Sequence, residues 1–165
     1  MIVYLVGMPG SGKSTVGAEL AGRLGVPFVD LDAEIEGREG RTVPEIFRAD
    51  GEAAFRALEA KELVRASAQD PSVIACGGGV VLEQANRITL RSTGTCVFLD
   101  VPLDVLRERV RPSEDRPLIR SAGDLEELLA SRERLYREFA AHVVDGSGDP
   151  GSVADAIVEE LRWSA

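Results

Sequence analysis

The first two dozen residues restrict this chain more than any other stretch. Gly7-Met8-Pro9-Gly10-Ser11-Gly12-Lys13-Ser14 fills every fixed position of the pattern G-x-x-x-x-G-K-[ST]. The apolar run Ile2-Val3-Tyr4-Leu5-Val6 precedes it and reads as a buried strand. Val16, Leu20 and Leu24 follow at helical spacing. Strand, glycine turn and helix in that order form a nest of backbone N–H groups, and the helix N-terminus adds positive potential, so polyphosphate is the expected occupant. Lys13 then reaches the β- and γ-phosphates, and the Ser14 hydroxyl holds Mg²⁺. The chain has two lysines, Lys13 and Lys61, against seventeen arginines, so a lysine at the phosphate position stands out.

The rest of the chain continues the alternation. Short apolar runs at 26–30, 72–76, 95–100 and 142–145 read as further strands. Helical patterns cover 13–24, about 51–69, 102–110, 124–140 and 152–163. Together they predict a single α/β domain over residues 1–165: a three-layer sandwich with a five-stranded parallel sheet and helices on both faces. Ligands of such folds gather at the carboxyl ends of the strands. Two segments interrupt the alternation. Residues 31–60 read as a helical insertion, in which Thr42-Val43-Pro44-Glu45 is a capping box. Residues 110–123 are charged, polar and proline-broken, and read as a lid.

Composition excludes several classes. A net charge of −9 argues against a nucleic-acid-binding surface. No apolar run approaches membrane-spanning length, and no leader pattern precedes the first strand. Cys76 and Cys96 lie in apolar, strand-like contexts and read as reduced core residues of a cytoplasmic protein.

Four groups of residues carry candidate chemistry. Asp30-Leu31-Asp32 ends the second strand with two carboxylates: one suits a water-mediated Mg²⁺ contact and the other a substrate hydroxyl, or Asp32 caps the following helix. Asp100 competes as the metal residue, since it too ends an apolar strand. Gly77-Gly78-Gly79 allows close backbone approach, or is a plain turn. Arg56 has Glu52 and Glu59 at helical spacing, and Arg137 has Glu133, so each also reads as a surface ion pair. Arg116 differs because it lies within the lid segment, near Arg107, Arg109, Arg111 and Arg120, and suits closure onto a γ-phosphate. His142, the only histidine, reads as structural.

In combination, Asp30-x-Asp32, Phe55-Arg56-x-x-Glu59, Gly77-Gly78-Gly79, Arg116-Pro117-Leu118 and Leu135-Tyr136-Arg137 resemble the shikimate kinase family over nearly the whole chain. The resemblance implies an Mg²⁺-dependent enzyme that moves the γ-phosphoryl group of ATP to the 3-hydroxyl of shikimate, a step toward chorismate and the aromatic amino acids. It implies Asp32, Lys13 and Arg116 as catalytic residues. ATP contacts then fall to Gly10, Ser11, Gly12, Lys13, Ser14, Thr15, Arg109, Arg116 and Pro150. Shikimate contacts fall to Asp32, Arg56, Gly78, Gly79 and Arg137, with Phe47, Phe55 and Glu59 lining or bracing the pocket. Ser14 and, through water, Asp30 serve the metal, and Asp100 is disfavoured. A monomer acting on small molecules is expected. The alternatives are a gluconate-kinase-like or adenylate-kinase-like enzyme, which would lack the arginine clamp, and a non-catalytic nucleotide switch.

Overall fold

A computed structural model describes residues 1–111 and 116–163. Five parallel strands, β1 (Ile2–Val6), β2 (Phe28–Asp30), β3 (Ser72–Ala75), β4 (Gly94–Asp100) and β5 (His142–Asp145), form one sheet in the order β2-β3-β1-β4-β5. The central strand β1 is buried at every position, as a strand covered on both faces must be. Its alternate residues serve two cores. Ile2, Tyr4 and Val6 join Phe98, Leu63 and Tyr136 on one face, and Val3 and Leu5 join Val16, Leu20 and Ile157 on the other. Strand order reverses at β1, so the turn after it lies at the switch point where such sheets bind ligands.

Helix α1 (Lys13–Leu24) follows β1 directly. Helices α2 (Leu31–Glu39) and α3 (Val43–Asp50) precede α4 (Glu52–Ala66), and Ile35, Ile46 and Phe55 knit the three together in a small core of their own. The Thr42–Glu45 capping box forms as its spacing predicts. A 3₁₀ turn (Val80–Leu82) and α5 (Gln84–Thr93) connect β3 to β4; this helix does not figure in the pattern read from the sequence. Then come α6 (Leu103–Arg109), α7 (Ala122–Phe139) and α8 (Pro150–Trp163). Within the expected lid, 112–115 lie outside the described residues, Arg116 to Ile119 form a turn closed by the Ile119 N–H on the Arg116 carbonyl, and Ile119 is buried. No helix among the described residues is long and apolar enough to cross a membrane.

Candidate active site

The phosphate loop is shaped by its glycines. Gly10 and Gly12 hold φ of 81° and 90°, a left-handed conformation that costs a side chain energy. At Gly10 a Cβ would also lie 2.1 Å from Cγ2 of Val110. Helix α1 starts at Gly12 with no side-chain cap, so its first N–H groups are free to meet an anion. Lys13 Nζ donates to the carbonyls of Gly7 (3.0 Å) and Met8 (2.8 Å) and to Ser11 Oγ (3.3 Å), which poises the ammonium over the turn. Burial lowers its pKa to about 8, with Asp32 opposing the shift. Polyphosphate stabilises the charged amine, so nucleotide binding takes up a proton where free Lys13 is largely neutral. Calorimetry in buffers of different ionisation enthalpy is expected to show uptake of roughly half a proton or more at pH 8.5 and little at pH 6.5. Equal uptake at both would remove Lys13 from the phosphate site.

The Asp30/Asp32 pair divides its labour. Asp30, not Asp32, caps the following helix: its Oδ1 accepts from the N–H groups of Asp32 (3.1 Å) and Ala33 (3.2 Å). Its other oxygen accepts from the Ser14 hydroxyl. Asp32 is thereby turned inward, and its Oδ1 is buried without a hydrogen-bond partner. Burial, then the Asp30 charge, push the Asp32 carboxyl upward, against Lys13 and Arg56.

Two cavities meet at Asp32. One, of about 390 Å³, is lined by Pro9, Gly10 and Gly12 to Thr15 of the phosphate loop, together with Asp30 and Cys76. The other, of about 270 Å³, is lined by Val43, Phe47, Phe55, Arg56, Glu59 and Arg132, among others. Pro9, Asp32, Gly77, Gly78 and Arg116 border both. A group transferred between occupants of the two would pass Asp32 and Arg116.

Arg56 satisfies both of its sequence readings. It pairs with Glu52 (3.2 Å) and Glu59 (2.9 Å), yet its side chain is only 11% exposed and faces the second cavity, with Nε buried and unpartnered. Glu59 is fully buried, and burial raises its carboxyl against the pull of Arg56. Gly77–Gly79 serve close approach and not positive φ, which none of them adopts. A Cβ on Gly79 would sit 2.3–2.4 Å from the Arg56 guanidinium, and one on Gly77 would sit 2.5 Å from Glu59 Oε2. Gly79→Ala is therefore expected to dislodge Arg56 and weaken binding in this cavity about tenfold, leaving nucleotide affinity unchanged. Paired titrations of the two ligands check this, and an equal loss of both would contradict it.

Arg137 is not brought into the site. Its guanidinium reaches outward to Asp100 (2.6 Å) and Glu133 (3.1 Å), and its side chain is 44% exposed. The same ion pair engages Asp100, which lines neither cavity. The reason is helical phase: a residue one position past the buried Tyr136 turns about 100° away from the core. Arg132 occupies the place expected of Arg137. It is 3% exposed, lines the second cavity, and has no carboxylate within 4.0 Å among the described residues. Sequence reasoning passed over it, although Leu125, Leu128, Leu129, Arg132, Tyr136 and Phe139 form one apolar stripe along α7 that contains it.

Arg109 bridges the phosphate loop and the loop leading to Pro150, donating to the carbonyls of Gly10 (3.5 Å), Gly146 (3.1 Å) and Ser147 (3.0 Å). Cys76 and Cys96 are both buried and free. His142 lies at the start of β5, away from both cavities.

The sequence profile of the shikimate kinase family matches residues 9–162. A shikimate kinase of Aromatoleum aromaticum is 45% identical over 98% of this chain and 95% of its own length, and one of Halorhodospira halophila is 46% identical over 97% and 93%. Among solved structures, a shikimate kinase from Acinetobacter baumannii in complex with shikimate superposes with a TM-score of 0.95 at 35% identity, covering 99% of this chain and 93% of that one. A gluconokinase from Sinorhizobium meliloti, at 22% identity and a TM-score of 0.61, shares the fold alone.

Proposed function

This chain belongs to the shikimate kinase family, and from that premise we propose that it transfers the γ-phosphoryl group of ATP to the 3-hydroxyl of shikimate, giving shikimate 3-phosphate and ADP. One observation carries the acceptor reading. The second cavity presents two buried guanidiniums, Arg56 with a free Nε and Arg132 with no carboxylate beside it, across from an unpartnered oxygen of Asp32. Buried charges and polar atoms short of partners call for a ligand that supplies them. A small ring bearing one carboxylate and a set of hydroxyls does so: the carboxylate meets Arg56 and Arg132, and a hydroxyl meets Asp32.

The nucleotide occupies the first cavity, its phosphates wrapped by Gly10 to Thr15 and Lys13, with Arg109 and Pro150 flanking the base. Phosphoryl transfer needs position and charge stabilisation more than covalent help from protein. Asp32, held inward because Asp30 does the capping, orients the acceptor hydroxyl and takes its proton as the oxygen attacks. Lys13 and Arg116 face the charge that spreads over the moving group, and Arg116, bordering both cavities, helps to exclude water. The Ser14 hydroxyl beside the Asp30 carboxylate offers oxygen donors only, and no cluster of three or more metal-ligating side chains exists among the described residues. That sparse, hard donor set fits Mg²⁺, which is held largely by phosphates and water. Ser14 would hold it directly and Asp30 through water, and the bound ion would neutralise phosphate charge.

An ADP-release assay with ATP, Mg²⁺ and shikimate tests the reading, with turnover expected. Turnover of gluconate or AMP in its place would overturn it.

A further inference from the structure

The second cavity has a further support in the helix behind it. Tyr136 is fully buried on α7, and its hydroxyl donates to the Gly78 carbonyl. Its ring is anchored independently, stacked on Phe98 with centroids 5.1 Å apart and planes at 20°. Arg132, one helical turn earlier, lies against the same hydroxyl and opposes the effect of burial on it. Gly78 is wedged close by: a Cβ there would lie 3.1 Å from Pro9 Cδ and 3.3 Å from Arg132 Nη1.

The Gly78 carbonyl and the Gly79 N–H belong to one peptide plane, which is trans, so they point in opposite directions. Anchoring the carbonyl toward α7 aims the Gly79 N–H the other way, and the Arg56 guanidinium packs close against the Gly79 Cα. That N–H donates to no backbone acceptor among the described residues, while the neighbouring Val80 and Leu82 N–H groups close the 3₁₀ turn on the carbonyls of Gly77 and Gly79.

We propose that Tyr136 is a positioning residue for acceptor recognition: through one hydroxyl it sets both the direction of the Gly79 N–H and the place of the Arg132 guanidinium, so that these donors converge with Arg56 on a carboxylate. The proposal rests on the acceptor reading given above. It assigns to the hydroxyl a role distinct from that of the ring, which packs the helix against the sheet. Loss of the hydroxyl leaves the donors present but misaligned, which weakens a charge-assisted contact without touching the nucleotide side.

Tyr136→Phe separates the two roles. The expected result is a KM for shikimate raised about tenfold, with kcat and the KM for ATP within about twofold of wild type and the melting temperature lowered by a few degrees, because the Gly78 carbonyl loses its donor. Preference for shikimate over its methyl ester, which lacks the anionic carboxylate, is expected to narrow by a similar factor. A purely structural role would lower the melting temperature in the same way but leave that preference and the KM for shikimate intact. Shikimate KM and ester discrimination both unchanged in the folded variant would overturn the proposal. Should the phenylalanine variant fail to fold, 4-aminophenylalanine and 4-methylphenylalanine at position 136 fill the hydroxyl's volume with and without a donor. Only the methyl form is expected to lose discrimination, and equal behaviour of the two would overturn the proposal. Wild-type enzyme run alongside separates the readings: no turnover of shikimate by wild type defeats the substrate assignment itself, whereas wild-type turnover with an unaltered variant defeats only the role of Tyr136.

Discussion

Asp32→Asn is expected to lower kcat for phosphorylation of shikimate by roughly 10³-fold, with the KM values for both substrates changed by no more than a few-fold. Asparagine keeps the size of the side chain and can still hydrogen-bond a hydroxyl, but it cannot take a proton. The position is suited to proton transfer because of what surrounds it. Burial and the Asp30 charge raise the Asp32 carboxyl above the ordinary aspartate range, making its anion a stronger base than a solvated one. Wild-type kcat/KM should therefore fall as pH drops through this raised pKa, and the variant's residual activity should lack that limb. The linkage to stability has the opposite sign. An acid raised on folding disfavours its ionised form in the native state, so its penalty is full above the native pKa, shrinks as pH falls from there, and is gone below the lower pKa of the unfolded chain. Asp32→Asn should accordingly melt no lower than wild type at pH 7. A kcat near wild type with only KM raised would make Asp32 a binder of the hydroxyl and not its base.

How much of this arrangement is legible in the sequence depends on whether a residue's role is local or tertiary. The phosphate loop is local: the glycines of positive φ, the uncapped helix start and Lys13 all follow from eight adjacent residues and their flanks. The strands are legible for a similar reason, since burial on both faces demands unbroken apolar runs. Helix α5 escapes detection because only Leu90 and Asn86 are buried in it, and Asn86 is held by its side-chain amide on the Val80 carbonyl, so no apolar stripe marks the segment. The capping role within Asp30-x-Asp32 is ambiguous in sequence, because both acids precede the same helical pattern. Only the place where β2 ends decides that Asp30 caps and Asp32 turns inward. Arg56 shows how a local reading and a tertiary one coexist: its ion pairs on α4 are real, and they fix the guanidinium where the cavity needs it.

Arg132→Ala and Arg137→Ala, made as a pair, should separate what proximity in sequence merges. For Arg132→Ala the KM for shikimate is expected to rise by roughly 10²-fold with little change in the KM for ATP, because truncation removes a charge-assisted contact in a desolvated pocket and strands the acceptor's carboxylate. For Arg137→Ala both constants should stay within about threefold of wild type. Its guanidinium is largely solvent-screened and spends its hydrogen bonds on Asp100 and Glu133. The contrast follows from helical phase. Arg132 lies one turn from Tyr136 on the stripe that α7 turns to the core, and Arg137 lies off it. The counter-charges agree: Arg132 has no carboxylate within 4.0 Å among the described residues and the Glu59 whose field it feels is already engaged by Arg56, so it retains capacity for an anion that Arg137 has used. Arg132→Lys should recover part of the lost affinity, since the ammonium keeps the charge but not the planar fork that grips a carboxylate through two bonds. If Arg137→Ala instead produced the large rise and Arg132→Ala did not, α7 would have to turn by about 140° when the acceptor binds, the angle between the two positions on the helix, and the clamp would belong to Leu135-Tyr136-Arg137 as the family resemblance first suggests.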